Sequence, residues 1–283
     1  MIVTRIHGGL GNQMFQYAAG RRAAISAGVS LGIDLTAMAD YDKRIYGLNQ
    51  FVLTPNARPI DGKAFSKGRG LVHLWRKVTK TYRDRRERGF RFDPDILNLK
   101  PPVRLIGYWQ SEKYFSDVAD TIRADFALVR PMASKRQAVL DRISACNSIS
   151  VHVRRGDYVS VPKYASIFGT CTPEWYRRAV AIASEGLTDV VFFVFSDDMQ
   201  WAKENLGLPG RVEWVEPLPD KRDAEDLYLM AACRAHVIAN SSFSWWGAWL
   251  DPREDSRVVA PSRWFLSDNF DARDLVPERW VRL

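Results

Sequence analysis

The second half of the chain alternates short apolar runs with helical stretches, and that rhythm limits the fold more than any other feature. Strand-like segments at 148–153, 190–195, 211–215, 236–239 and 257–260 are separated by helical segments at 173–185, 199–206, 222–235 and 242–250. Thr172-Pro173 marks one helix start, a capping hydroxyl followed by a proline at the first helical position. Repeated βα units of this length predict a parallel, doubly wound sheet. In such sheets ligands meet the loops that follow the strands' carboxyl ends.

The first half is less regular. A strand is expected at 2–6, a glycine-rich turn at Gly8, Gly9 and Gly11, and a helix from Asn12 to Ala27 with Met14, Tyr17, Ala18, Arg21 and Ala24 at helical spacing. Strands at 29–34 and 103–108 and a helix at 112–126 complete the expected elements, while 37–100 has no clear periodicity. A chain of 283 residues suits two domains. We place them at 1–132 and 133–283, two Rossmann-like βα domains facing across a cleft.

Composition excludes several classes. With 46% hydrophobic and 26% charged residues, the chain is globular rather than disordered. No apolar run approaches the ~18–20 residues that span a bilayer. The N-terminus enters a strand pattern directly, without a signal-peptide pattern, so a cytoplasmic location is expected. Cys146, Cys171 and Cys233 lack metal spacing and read as reduced thiols. The net charge of +8 points to anionic partners. Much of the excess lies in 76–91, whose plain reading is a solvated basic segment. The alternative is a surface making peripheral contact with anionic membrane; nucleic acid is not expected, since no recognition module is visible.

Four strand-to-helix junctions could carry chemistry. The first is His7-Gly8-Gly9-Leu10-Gly11-Asn12-Gln13, where glycines admit close backbone approach and a helix start offers free N–H groups. It lacks the third glycine of a dinucleotide fingerprint, although Asp34 ends the next strand where a ribose-binding acid would sit. The second is His152-Val153-Arg154-Arg155-Gly156-Asp157. Paired arginines at a strand end suit a diphosphate; surface arginines bridged to Asp157 are the plain alternative. The third is Asp197-Asp198, which could ligate a metal, hold a sugar hydroxyl or cap the next helix. No His/Cys/carboxylate set completes a metal site. The fourth is Asn240-Ser241-Ser242 at a helix N-terminus, a receptive place for phosphate; the following Trp245 and Trp246 read as core. Together these fit a nucleotide diphosphate bound mainly by the second domain, the layout of a nucleotide-sugar glycosyltransferase.

The runs Gly8–Ala18, Val151–Tyr158 and Asn240–Trp246 closely resemble the bacterial α-1,2-fucosyltransferases of glycosyltransferase family 11, a likeness weakest across 40–100. The resemblance implies a GT-B fold with an acceptor-side first domain and a donor-binding second domain. It implies GDP-β-L-fucose as donor and an inverting transfer to the 2-hydroxyl of a galactoside, without metal or other cofactor. A galactose-terminated glycan or a lipid-linked oligosaccharide, as in O-antigen synthesis, is the implied acceptor. Arg154 would stabilise the departing phosphate with Arg155 assisting, His152 would contact guanine or ribose, and Asp226 would read the guanine edge. Ser241 and Ser242 would bind phosphate beside Asn240; Asp197 and Asp198 would serve the donor, and Gly9 and Gly11 the close approach. Asn12 would sit near the reacting centre. Asp157 is a further catalytic candidate, and His7, Gln13 and Asp34 are acceptor-side candidates. The base that takes the acceptor proton is open among His7, Asp34 and Asp157.

Two other readings stand beside it. One is a transferase of the same superfamily with another nucleotide sugar or linkage. The other is a Rossmann-type nucleotide- or RNA-binding protein, which the missing glycine and the absent RNA motif argue against.

Overall fold

The computed structural model describes residues 1–38, 45–60, 82–220 and 222–283. The chain divides into two compact units, Met1–Ala127 and Leu128–Leu283. Both are α/β, and in both every paired strand is parallel.

The N-terminal unit carries β1 (Ile2–Arg5), β2 (Leu31–Asp34), β3 (Ala57–Ile60), β4 (Arg83–Arg86) and β5 (Val103–Ile106), in the order β3-β2-β1-β5-β4. From β1 the chain runs outward through α1 (Leu10–Ser26) to β2 and β3, and β4 and β5 occupy the other side. The strand order therefore reverses between β1 and β5. Helix α1 lies close on the sheet because Gly20 has no side chain: a Cβ there would sit 2.9 Å from Thr4 Cβ and 3.1 Å from Leu31 Cδ1.

Two strands of this unit were unforeseen because they break the apolar pattern. β3 contains Pro59, tolerated because it lies at the sheet edge. β4 reads Arg-Asp-Arg-Arg and forms the opposite edge, where Asp84 pairs with Arg104 (3.0 Å) and Arg85 pairs with Asp93 and Asp95. Part of the basic segment is thus ladder, with charges matched locally; Arg76, Lys77 and Lys80 lie outside the described residues. The helix expected at 112–126 is broken. Two 3₁₀ turns, Glu112–Tyr114 and Ser116–Val118, precede α2 (Ala119–Asp125). Ser111 caps the first turn through Lys113 N (3.3 Å), and Phe115 leaves the helical conformation (φ −151°).

The C-terminal unit carries β6 (Asn147–Val153), β7 (Val190–Ser196), β8 (Arg211–Trp214), β9 (Ala235–Val237), β10 (Arg257–Ala260) and β11 (Val281–Arg282), in the order β11-β10-β9-β6-β7-β8. Its helices are α3 (Ser134–Ser144), α4 (Gly156–Ser160), α5 (Pro162–Phe168), α6 (Pro173–Ala183), α7 (Met199–Asn205), α8 (Asp223–Ala232) and α9 (Ser242–Trp249). The chain leaves β6 toward β7 and β8, then returns to lay β9 on the other side of β6. The order reverses between β6 and β9.

β7 reads Val-Val-Phe-Phe-Val-Phe because both its faces are covered. Phe192 and Val194 join Ile149, Val151 and α6 residues Tyr176, Ala179 and Val180 on one side. Val191, Phe193 and Phe195 join Val139, Ile143, Leu229 and Met230 on the other. Each such buried side chain contributes roughly 1.5–3 kcal/mol. A sheet so held gives the loops at its carboxyl edge fixed starting points. Thr172 starts α6 as the sequence indicated, its hydroxyl accepting from Trp175 N at 3.2 Å. No helix among the described residues is long and apolar enough to cross a membrane.

Candidate active site

Three adjacent strands, β9, β6 and β7, deliver three of the four singled-out motifs to one edge of the C-terminal sheet. Arg154 and Arg155 follow β6 directly, and neither is free in space. Arg154 Nη1 meets Asp197 Oδ2 at 2.8 Å, while Nη2 is paired with Asp157 Oδ1. Its guanidinium carbon lies 5.1 Å from the Tyr158 ring centroid. Arg155 Nε meets Asp198 Oδ2 at 3.1 Å, and the guanidinium covers the Trp201 ring at 3.8 Å. Both terminal nitrogens of Arg154 are engaged by carboxylates, whereas Arg155 is held through Nε and its flat face.

The two aspartates after β7 do separate work. Asp197 Oδ1 also accepts from Arg155 N at 2.9 Å, so one carboxylate orients both arginine residues. Asp198 caps α7 through Trp201 N (3.3 Å) while pairing with Arg155. Gly156 makes this approach feasible: a Cβ there would stand 3.2 Å from Asp197 Cγ and closer still to Oδ2. Two guanidinium groups against Asp157, Asp197 and Asp198 leave the cluster one charge negative. An anionic ligand here would compete with carboxylates for the same donors, and arginine's forked geometry lets one group serve two acceptors.

The β9 end supplies the rest. Ser241 caps α9, its hydroxyl accepting from Phe243 N at 3.3 Å, and Ser242 opens the helix. Asn240 Nδ2 donates to Phe168 O (2.9 Å) and Trp264 O (3.2 Å), and the Asn240 main-chain carbonyl accepts from the Tyr158 hydroxyl at 3.2 Å. Asn240 Oδ1 is buried with no hydrogen-bond partner among the described residues. Such an orphaned acceptor at a site edge is where a ligand N–H or O–H would be welcome. His152 is in the same position: its Nδ1 is buried and unpartnered, and its ring lies 5.7 Å from Phe243. Burial first, then the nearby Arg154 charge, pushes His152 down to about 3, so the ring is neutral near pH 7. Trp245 and Trp246 are fully buried, with Trp245 Nε1 donating to Leu275 O at 2.9 Å.

Asp226, on α8, forms a buried pair with Arg136 at 2.6 Å. Burial dominates and raises its carboxyl to about 7, with Asp223 and Glu225 adding to the rise and Arg136 opposing it.

The fourth motif belongs to the N-terminal unit. Gly8 has φ +80°, a backbone conformation suited to glycine. Gln13 is fully buried; its amide donates to Gly8 O and Ile45 O and accepts from Gly47 N, each at 2.9 Å. Every group of that amide is used in fixing the turn. Asp34 is equally committed, accepting from Thr36 N and Oγ1 and facing Arg104 at 3.3 Å, with no exposed surface. Asn12 Oδ1 accepts from Gln110 Nε2 at 2.7 Å. Gly9 caps α1 with ordinary angles (φ −73°), and Gly11 is buried in the helix's first turn. His7 remains half-buried; burial, then Arg5, lowers its ring below the usual histidine range.

Sequence reasoning missed several residues. Trp201, Tyr158 and Arg136 touch singled-out side chains: Trp201 lies in the helix expected at 199–206, Tyr158 closes the Val151–Tyr158 run without an assigned role, and Arg136 lies in a stretch to which no element was assigned. Glu87 and Tyr108, beside His7, lie in or near the stretch that had no period. A serine–histidine–aspartate chain also appears, Ser150 Oγ to His236 Nδ1 at 2.8 Å and His236 Nε2 to Asp251 Oδ2 at 3.0 Å. All three are at most 5% exposed, so no substrate reaches them, and the chain serves to tie β6 and β9 to the 251–253 loop. Among the described residues, no group of three His, Cys, Asp or Glu could hold a metal ion.

Comparison with known proteins identifies the family. A family model described as Glycosyl transferase family 11 matches residues 71–283. An alpha-1,2-colitosyltransferase of Escherichia coli is 34% identical over 100% of this chain and 99% of its own length. The O-antigen biosynthesis glycosyltransferase WbnK of the same species is 27% identical over 98% of this chain and 99% of its own. Human galactoside alpha-(1,2)-fucosyltransferase 1 is 26% identical over 86% of this chain and 64% of its own length. A crystal structure of NodZ alpha-1,6-fucosyltransferase soaked with GDP-fucose shares the fold, with TM-score 0.52 and 17% identity over 92% of this chain and 94% of that one. The architecture is GT-B type, and the chain belongs to glycosyl transferase family 11.

Proposed function

We propose that the chain transfers L-fucose from GDP-β-L-fucose to the 2-hydroxyl of a terminal galactose, with inversion and without a metal ion. The observation that carries this reading is the pair Arg154–Arg155 at the point where strand order reverses, beside the Asn240-Ser241-Ser242 helix start, on a family 11 chain. Cations and helix N–H groups converge there on one small volume at a sheet's carboxyl edge, which suits a diphosphate.

In this mechanism the acceptor oxygen forms a bond to the sugar's anomeric carbon as the bond from that carbon to the β-phosphate oxygen breaks. The electron pair leaves with GDP, and attack from the opposite face turns the β-linked donor into an α-linked product. Charge grows on the β-phosphate during the step, and Arg154 stabilises that growth more in the transition state than in the ground state. Asp157 and Asp197 hold the fork in place beforehand. The Arg155 face on Trp201 keeps its terminal nitrogens directed rather than mobile. Asp226 accepts guanine N–H groups in its ionised form, the unpartnered Asn240 Oδ1 accepts from a base N–H or ribose O–H, and the unpartnered His152 Nδ1 bonds base or ribose. The acceptor proton goes to a group we leave unassigned.

A second reading differs in the donor sugar. Full-length similarity at 34% to an alpha-1,2-colitosyltransferase favours transfer of colitose, which is fucose lacking its 3-hydroxyl. A site that hydrogen-bonds that hydroxyl would reject the deoxy sugar strongly, whereas an apolar one would not. The test is incubation with GDP-fucose or GDP-colitose and a panel of β-galactosides, with products read by mass spectrometry and linkage analysis. The first reading expects an α-1,2-fucosyl product whose yield is the same in EDTA and in manganese. Loss of product in EDTA with recovery on manganese would overturn metal independence, and product from GDP-colitose alone would overturn the choice of donor.

A further inference from the structure

Tyr158 touches both sides of the place where the C-terminal strand order reverses, and the mechanism above gives it no role. It lies in α4, just after the two arginines. Its ring centroid is 5.1 Å from the Arg154 guanidinium carbon, inside the ~6 Å reach of a cation–π contact. Its hydroxyl donates to the Asn240 main-chain oxygen at 3.2 Å, directly before the Ser241 cap and the Ser242 helix start. One side chain joins the loop after β6 to the loop after β9.

That link is stiff. Tyr158 stacks on Phe168 at 4.5 Å and 7°, and Phe168, at the end of α5, packs in turn against Tyr164 (6.2 Å) and Phe265 (5.6 Å). The Phe168 main-chain oxygen accepts from Asn240 Nδ2 at 2.9 Å. Tyr158, Phe168 and Asn240 thus close a circuit: ring on ring, amide to carbonyl, hydroxyl to carbonyl. Asn240 is buried, which fixes that end of the circuit in the protein.

The contact with Arg154 also differs in kind from its carboxylate pairs. Asp157 and Asp197 engage Arg154 through terminal nitrogens, the groups that a phosphate needs. The Tyr158 ring attracts the guanidinium charge without accepting from any N–H. A phosphate that displaces a carboxylate oxygen leaves the ring contact in place. Tyr158 is therefore the support of Arg154 that does not compete with an anionic ligand.

We propose that Tyr158 is a positioning residue that fixes Arg154 and the Asn240–Ser242 loop as two walls of one clamp for a diphosphate, its ring on the first wall and its hydroxyl on the second. A diphosphate has two phosphoryl groups and spans both walls, so its fit depends on their spacing. A monophosphate meets one wall and is insensitive to that spacing. Tyr158 in this way makes the site select nucleoside diphosphates over monophosphates. This inference rests on the transferase reading above and adds the residue that sets the diphosphate selectivity of its donor site.

The test measures GDP and GMP affinity by calorimetry, and kcat with the GDP-sugar that the wild type turns over, on wild type, Tyr158→Phe and Tyr158→Leu. Tyr158→Phe keeps the ring and loses the hydroxyl; it should bind GDP about fivefold more weakly, the scale of one lost hydrogen bond, with kcat within about twofold of wild type. Tyr158→Leu loses both contacts and should bind GDP about thirtyfold more weakly, with kcat about tenfold lower. GMP affinity should change by less than about twofold in either variant, since only one wall is engaged. A GDP-to-GMP affinity ratio in folded Tyr158→Leu equal to that of wild type would overturn the proposal. So would equal weakening of both nucleotides, which marks a merely structural role. If Tyr158→Leu does not fold, Tyr158→Phe decides alone, and an unchanged ratio there overturns the clamp. Wild-type protein that binds neither nucleotide would instead overturn the transferase reading.

Discussion

The two strand-order reversals hold opposite chemistry on the same scaffold. Between β6 and β9 the loops carry guanidinium groups, carboxylates and a helix start. Between β1 and β5 they carry rings and one carboxylate. The frames are alike, parallel sheets whose chain reverses beside the first strand, so the difference comes entirely from the residues following each strand. One edge gathers paired charges. The other gathers aromatic rings around one buried carboxyl group. A fold supplies places, and loop residues decide what each place does.

Breaking the arginine site should have the largest effect. Arg154→Ala is expected to lower kcat by about a hundredfold or more while circular dichroism and melting stay close to wild type. Retention of more than about a tenth of wild-type kcat, ~1.4 kcal/mol of barrier, would end its assigned role. Arg155→Ala should cost less, which a side-by-side comparison of kcat would show.

Gly156→Ala tests whether the carboxylates matter through their positions. Its Cβ would displace Asp197, which orients Arg154 and the Arg155 backbone. A loss of about tenfold in kcat/KM is expected, with acceptor KM unaffected; an unchanged kcat/KM would show that Asp197 is dispensable.

Asp226 gives the C-terminal unit a pH signature. Its carboxyl is raised to about 7 and must be ionised to accept from guanine N–H groups. GDP affinity should therefore fall as pH falls through about 7, by about tenfold between pH 8 and pH 6. His152, pushed down to about 3, stays neutral throughout this window and contributes nothing to the slope. Because GDP also titrates near there, the decisive comparison is Asp226→Asn, in which the protein's share of the slope should vanish. Identical slopes in the two proteins would exclude Asp226 from guanine recognition.

Glu87→Ala probes the aromatic site. Two backbone N–H groups would lose their acceptor, lowering the melting temperature by about 2–4 °C, with GDP affinity unchanged. A weakened GDP interaction would show that the two sites are not chemically separate. The smallest change serves as a control: Thr172→Ala removes the α6 cap for about 1 kcal/mol and should alter neither substrate's binding.

The Arg-Arg strand end was legible because β6 is apolar over its length and then turns abruptly to charge, a pattern with few other uses. Ser241 was legible for a similar reason, a hydroxyl between a strand and a helix. β4 was not, because an edge strand whose arginines pair with Asp84, Asp93 and Asp95 carries no apolar period. The 112–126 segment misled because its spacing is helical while Ser111 and Phe115 divide it into short turns. The serines and aspartates at the carboxyl edge of the C-terminal sheet were visible as types, but which carboxylate holds which arginine was not. Gln13 and Asp34 show the same limit from the other side, since polar residues near a glycine turn look like contacts until their partners are known.

Alone, the sequence determined what local physics determines: the βα rhythm, the parallel sheets it requires, the helix starts, and the family. Tertiary structure decided what depends on residues distant in the chain. It placed Asp197 against Arg154, Arg136 against Asp226, and Glu87 beneath Tyr108, pairings fixed only when strands line up in register. Periodicity is a property of neighbours along the chain, while a binding site is a property of neighbours in space.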